Sequence, residues 1–192
     1  YPEVSLKVEL GLETNLIAKL QEGWLDGVFF IGDLSASDLH SEHLGDVHMK
    51  VAAPPAMFNA APSLRQLAGQ RLLLWKGPAD PSFAMVERYA RKHGLIQTNT
   101  VEVPHIETLK ALVERGLGYA LLPDYVLWPE LQKKSVECFV LPGFETTFAI
   151  HLYSYPERHQ TLAMKVFSDE VTKNVRSSLH PIAKKLGPGT SR

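Results

Sequence analysis

One stretch of this chain occurs twice, at an offset of 93 residues and with no gap between the copies. In the first copy Val8-Glu9-Leu10 leads through residues 11–22 to Gly23 and on to the run DGVFFI. In the second, Val101-Glu102-Val103 leads through residues 104–115 to Gly116 and on to GYALLP. Val8 matches Val101, Glu9 matches Glu102, Leu16 matches Leu109, Ala18 matches Ala111 and Gly23 matches Gly116. About one identity is expected by chance in so short a window, so these five mark two copies of one supersecondary unit. Each copy reads strand, helix, glycine stop, strand. That is one βαβ crossover, present twice, and it implies two α/β lobes able to hold a ligand between them.

The rest of the chain supplies ordinary globular material. Its 192 residues are 45% hydrophobic with a formal net charge of −1, enough for one large or two small domains. So little net charge gives no electrostatic footprint for nucleic acid within these residues. No apolar run approaches the length of a membrane span, and no basic-then-apolar segment opens the chain to argue for export. Cys138 is the only cysteine and lies in the apolar run VECFVLP. It reads as a buried structural thiol, and an intramolecular disulfide switch is impossible.

Hydrophobic periodicity places the elements. Val4, Leu6, Val8 and Leu10 alternate with Ser5, Lys7 and Glu9, which predicts a strand over 4–10 with one covered face. Residues 14–22 read as a helix with Leu16, Ile17 and Leu20 inward, ended by Gly23. Val28–Ile31 is wholly apolar, as expected of a buried parallel strand. Residues 33–46 are polar and loop-like; 48–53 read as a strand that Pro54-Pro55 breaks. A short helix over 63–68, a strand over 71–75 and the loop GPADP follow, and Ser82 then caps a helix stopped by Gly94. A strand over 100–103, a helix over 106–115 and strands over 119–122 and 136–141 come next. After Pro142-Gly143 the spacing predicts a returning strand over 148–153 and an amphipathic helix over 161–178. The last residues, LGPGTSR, are expected to be disordered.

This gives lobe one as 1–53 with 142–180, lobe two as 54–141 and a tail over 181–192, with a hinge where the chain crosses near Ala53 and Pro142. The repeat also points to a gap. In lobe two the repeated unit is preceded by a strand (71–75) and a helix (82–93), and lobe one has no equivalent. In a flavodoxin-like order the absent strand would lie between strands 4–10 and 26–31. The expectation is a fragment that lacks about 30 residues, one strand and one helix, before Tyr1.

In open α/β sheets ligands bind beyond the carboxyl ends of the strands. Those ends fall at residues 11–14, 31–32, 76–83 and 104–108. Three lead into helix N-termini near Thr14, Ser82 and Ile106, where unpaired N–H groups and a partial positive charge suit a carboxylate or another anion. Thr14 and Ser82 read equally as plain helix caps. His105 reads as a ligand contact or as a solvent-facing turn residue, and Phe83 as a pocket wall or as core. His40, His43 and His48, with Asp38, Glu42 and Asp46 interleaved, match no established zinc spacing and read as a solvated loop, so no metal is expected. No P-loop, G-x-G-x-x-G, G-x-S-x-G or H-E-x-x-H occurs, and no nucleophile, base and orienter come together. No catalytic residue and no cofactor is therefore expected, and the reading is not an enzyme.

Two stretches carry a family resemblance. YPEVSLKVELG with EGWLDGVFF, and above all LVERGLGYALLP within VEVPHIETLKALVERGLGYALLPDY, resemble the regulatory domain of LysR-type transcriptional regulators over nearly all of residues 1–178. The resemblance implies two Rossmann-like lobes joined by two crossover segments, as in type 2 periplasmic binding proteins. It implies a cytoplasmic bacterial transcription factor that senses a small organic effector in the cleft between its lobes. DNA would be bound by an N-terminal helix-turn-helix outside this chain, and the domains would pair as a homodimer or homotetramer, with Leu16 and Leu20 partly at the interface. The family's effector contacts map onto Leu12, Glu13, Thr14 and Ile31, and onto Pro81, Ser82, Phe83, His105 and Ile106. Some relatives that bind carboxylates carry a basic or polar residue where Ile31 stands, so a strongly anionic effector is disfavoured. The alternative is a solute-binding protein of a transport system.

Overall fold

The computed structural model describes residues 5–32, 34, 38–77, 81–155 and 162–186. The chain divides into two compact units, the first Tyr1–Asp46 with Ala149–Ser178, the second Val47–Phe148 with Leu179–Arg192. It passes from the first to the second inside the strand His40–Ala53 and returns inside the strand Thr147–Ser154.

In the first unit, residues 5–12 form neither helix nor strand, so the strand expected over 4–10 is absent from its described part. Leu6, Val8 and Leu10, the face meant to be covered, are 64, 77 and 95% exposed. A strand exists through hydrogen bonds to a neighbour, and among the described residues no strand pairs with this segment. Helix α1 (Glu13–Glu22) follows as expected. It ends because Gly23 takes φ +86°, letting Trp24 N–H reach Lys19 O at 2.8 Å and Gly23 N–H reach Leu20 O at 3.2 Å. Leu20 is fully buried, against Val28 and Tyr153, so it belongs to the core and not to an interface; Leu16 packs on the same cluster.

Strand β1 (Val28–Ile31) was expected to be parallel and wholly buried. It pairs antiparallel with the returning strand, from Val28↔Tyr153 to Ile31↔Ile150, and Phe29 is 45% exposed. An apolar run records burial and carries no information on the direction of its partner. Strand β2 (His40–Ala53) is 14 residues long and takes in the second half of the polar stretch expected to be loop, residues 40–46. Only Leu44 is buried among its first seven residues, too sparse a signal for periodicity. Polar cross-strand contacts serve instead, with Ser41 Oγ 2.7 Å from His151 Nδ1.

In the second unit, Ser63 opens α2 (Leu64–Ala68) with a capping box in which its side chain accepts from Gln66 N–H and Gln66 reaches back. Strands β3 (Leu72–Trp75) and β4 (Val101–Val103) and helices α3 (Pro81–Lys92) and α4 (Ile106–Glu114) follow, then β5 (Tyr119–Pro123). β3 runs parallel to both β4 and β5, and β2 runs antiparallel to β5 and to β6 (Glu137–Val140). Between β5 and β6 lie a 3₁₀ turn (Asp124–Leu127) and α5 (Trp128–Lys133), for which no expectation was drawn; helices this short leave little periodicity to read. Ala52, Leu73, Val103, Leu109, Val113, Ala120, Leu122 and Leu127 form the core between the sheet and α4. Gly118 is required: a Cβ there would sit 2.4 Å from the Arg71 carbonyl oxygen, which accepts from Tyr119 N–H at 3.0 Å.

Strand β7 (Thr147–Ser154) carries the chain back. Helix α6 (Leu162–Leu186) is longer than expected and runs through Pro181, so residues 181–186 continue the helix; 187–192 lie outside the described residues. No described helix is long and apolar enough to cross a membrane.

Candidate functional site

The repeat survives in the structure as two helices in register. α1 begins at Glu13 and α4 at Ile106, 93 residues on, and their N-cap residues Leu12 and His105 are equivalent. Neither N-cap makes a side-chain capping bond, so the first-turn N–H groups of both helices are left without a side-chain acceptor. Thr14 and Ser82 are not caps. Thr14 stands second in α1, and Ser82 follows Pro81, the first residue of α3. Proline suits a first helical position because its φ is preset and it lacks the N–H that would go unpaired.

Each group of expected contacts lies within one unit. In the first, Leu12 and Thr14 are exposed, Glu13 is half-buried, and half-buried Ile31 ends β1 before Gly32 at φ +108°. In the second, Trp75 and Val103 are Cα partners at the ends of β3 and β4, and Lys76 N–H continues to Val103 O at 2.9 Å. Both strand ends therefore meet at one edge, where α3 and α4 start. Phe83 stacks on Trp75 with ring centroids 4.1 Å apart. That wall depends on Gly77, where a Cβ would come 2.0 Å from the Trp75 ring. His105 is exposed and Ile106 half-buried. Lys76 and Arg91 both bond Glu87, at 2.8 and 2.6 Å, and hold its carboxyl below the ordinary glutamate value.

One pair at this edge was missed by the sequence reading. Asp124, just past β5, is 2% exposed; its Oδ2 is 3.2 Å from His48 Nδ1, and its Oδ1 has no hydrogen-bond partner among the described residues. The available signal was the carboxylate of LLPDY, set directly after an apolar strand. The histidines do not gather. His43 bonds Asp46 at 2.9 Å and lies edge-on to His151, whereas His48 belongs with Asp124 in the other unit. Among the described residues no three metal-ligating side chains converge. Cys138 is half-buried, and desolvation pushes its thiol up to about 12, with Lys50 and Asp124 acting on it in opposite senses, which favours the protonated thiol at neutral pH. A polar cavity of about 240 Å³ in the first unit, lined by His40, Glu42, Ser154, Lys165, Ser168 and Asp169, holds none of the expected contacts.

Comparison with known proteins gives a consistent picture. The family model described as LysR substrate binding domain matches residues 1–176. The HTH-type transcriptional regulator CzcR of Bacillus subtilis is 23% identical over 186 residues, which cover 93% of this chain and 60% of that protein. The chain thus spans somewhat more than half the length of the curated relatives it matches. Among solved structures, HinK, a LysR family transcriptional regulator from Pseudomonas aeruginosa, superposes with a TM-score of 0.68 at 19% identity, over 92% of this chain and 62% of its own. The C-terminal domain of a probable LysR family transcriptional regulator from Rhodococcus sp. RHA1 gives 0.66 at 21% identity, over 90 and 86%. With its duplicated helix, its mixed sheet and a family match over residues 1–176, this chain belongs to the LysR substrate-binding domain family.

Proposed function

We propose that this domain is the effector-sensing part of a transcription regulator and binds a small organic molecule through both copies of the repeat. The effector contacts Leu12, Glu13, Thr14 and Ile31 from the first copy, His105 and Ile106 from the second, and Pro81, Ser82 and Phe83 at the start of α3 ahead of it. The observation that carries this reading is the pair of equivalent helix starts without side-chain caps, at Leu12 and His105. Such N-termini offer fixed N–H donors to a polar or weakly acidic head without charged side chains. The Trp75–Phe83 stack and Ile106 give an apolar wall for the body of the ligand.

The signal is a change in the equilibrium between conformations, limited by the difference in the effector's affinity for them. DNA is contacted by a helix-turn-helix elsewhere in the full-length protein, which works in the cytoplasm as a homodimer or homotetramer. Similarity to the CzcR relatives, which are HTH-type transcriptional regulators, supports this over a transport solute-binding protein. The domain acts by binding and not by catalysis.

The test uses full-length protein with a reporter promoter. Phe83→Ala and His105→Ala each weaken the effector response by about tenfold or more, the loss of an apolar wall or of one polar contact being worth about 1–3 kcal/mol. Wild-type affinity and response in both variants would show the assignment to be wrong.

A further inference from the structure

We propose that His48, oriented by the buried carboxylate of Asp124, is the residue of the second unit that receives the acidic head of the effector. This rests on the effector-sensing reading and names the chemistry of the ligand: a weak organic acid with an apolar body.

Register places the pair at the site. Lys50 is the Cα partner of Leu122, and the parallel pairing Leu73↔Ala120, continued by two residues, sets Trp75 beside Leu122. Lys50, Leu122 and Trp75 thus form one row across β2, β5 and β3. His48 lies two residues beyond Lys50, toward the edge where β5 ends and Asp124 follows it. Alternation along a strand sends His48, Lys50 and Ala52 to one face. Ala52, Leu122 and Leu73 share a core cluster on which Trp75 and Phe83 pack, so His48 and the aromatic wall occupy the same face of the same edge. Two strand spacings separate them, about 10 Å, a span suited to one ligand with its head on the histidine and its body on the rings.

The chemistry follows from the pair. An ionised carboxylate only accepts, so Nδ1 of His48 donates to Asp124 Oδ2 at 3.2 Å. That fixes the ring, leaving Nε2 as its second polar atom, and the side chain is 30% exposed. The Asp124 side chain, only 3% exposed, holds the ring through that bond and so sets the direction in which Nε2 points. A head that is already ionised, as benzoate is at neutral pH, binds at Nε2 together with one proton taken from solvent, so that both charge and proton are accounted for in the ion pair. Among the described residues of β2 and β6, Lys50, 4% exposed, and Cys138 share this face. A basic group at His48 also meets the difficulty raised by an apolar Ile31.

The experiment is calorimetric titration of the full-length protein with benzoate and with benzamide, which share a ring and differ in the head. Benzoate binds at least tenfold more tightly than benzamide to the wild type; His48→Gln brings benzoate to the benzamide level and leaves benzamide unchanged. Asp124→Asn, a second variant, also reduces that preference. Equal affinities in the wild type, or a preference that survives His48→Gln, overturn the proposal. If Phe83→Ala still weakens both probes in that case, the effector site stands and only its head group has been misassigned. Binding of neither probe at tens of millimolar, or binding indifferent to Phe83→Ala, overturns both readings.

Discussion

Lys110 offers a sharp test of how the second unit is held together. It lies on α4 at 5% exposure, with Nζ 2.9 Å from Glu107 Oε1 and 3.1 Å from Glu130 Oε1, and it donates to Val126 O at 3.1 Å. Burial opposes its charge, but the two carboxylates outweigh that and hold the ammonium above the ordinary lysine value. The two partners are far from equal. Glu107 is 82% exposed, so its bond contributes at most about 1 kcal/mol. Glu130 is 9% exposed and one of its oxygens already lacks a partner. Lys110→Met therefore strands a buried carboxylate and costs about 3–5 kcal/mol, a large share of a stability of about 5–15 kcal/mol. Glu107→Gln costs under about 1 kcal/mol, and Lys110→Met with Glu130→Leu recovers most of the loss, because no charge is left buried. Urea midpoints of the four proteins decide the matter. Glu107→Gln costing as much as Lys110→Met would refute the reasoning, as would a double variant no more stable than Lys110→Met. The sign of the pH dependence is fixed too. A raised folded value means the contribution is complete below the unfolded value of about 10.4 and is lost only as pH climbs through the folded one. Because α4 opens at His105 and Ile106, this bridge to α5 also steadies the candidate site.

Gly118→Ala drives a methyl group against the Arg71 carbonyl and costs about 1–3 kcal/mol in a thermal melt; an unchanged melt would mean that β5 and the start of β3 do not approach as described. Cys138 stays unmodified by a thiol reagent at pH 7 in the native protein and reacts fully in denaturant, its thiol being pushed up to about 12 by burial; fast native modification would contradict its burial. Glu87→Gln removes the carboxylate that Lys76 and Arg91 hold below its ordinary value, so a small stabilisation, under about 1 kcal/mol, present above about pH 4.3 and lost in more acid solution, disappears from the pH–stability curve. A curve identical to wild type would remove that pair of contacts from the account.

What could be read from the sequence was what depends on local pattern. The helices ending at Gly23 and Gly116 were legible because each has an inward stripe and a glycine where the backbone turns left-handed, at φ +86° and +78°. Three things were not legible. The direction of β1 depends on a partner more than a hundred residues away, Tyr153 against Val28. The first half of β2 carries one buried residue in seven and is held by polar neighbours such as His151, which no alternation rule detects. Val8 and Leu10 show a strand pattern without a strand, since pattern supplies the face and a neighbour must supply the hydrogen bonds. For the site, the helix starts were found to within a residue, whereas His48 and Asp124, 76 residues apart, became a pair only through the register of β2 on β5.

The central claim is that one effector is read by both copies of the repeat. The direct measurement is a backbone amide titration by NMR, with the weak acid that most raises the melting temperature, a rise that marks binding to the folded state. The account predicts that the amides of Glu13 and Thr14 and those of Ile106 and Glu107 shift together along one binding curve with one dissociation constant. Shifts confined to one helix start, or two curves with different constants, would contradict it.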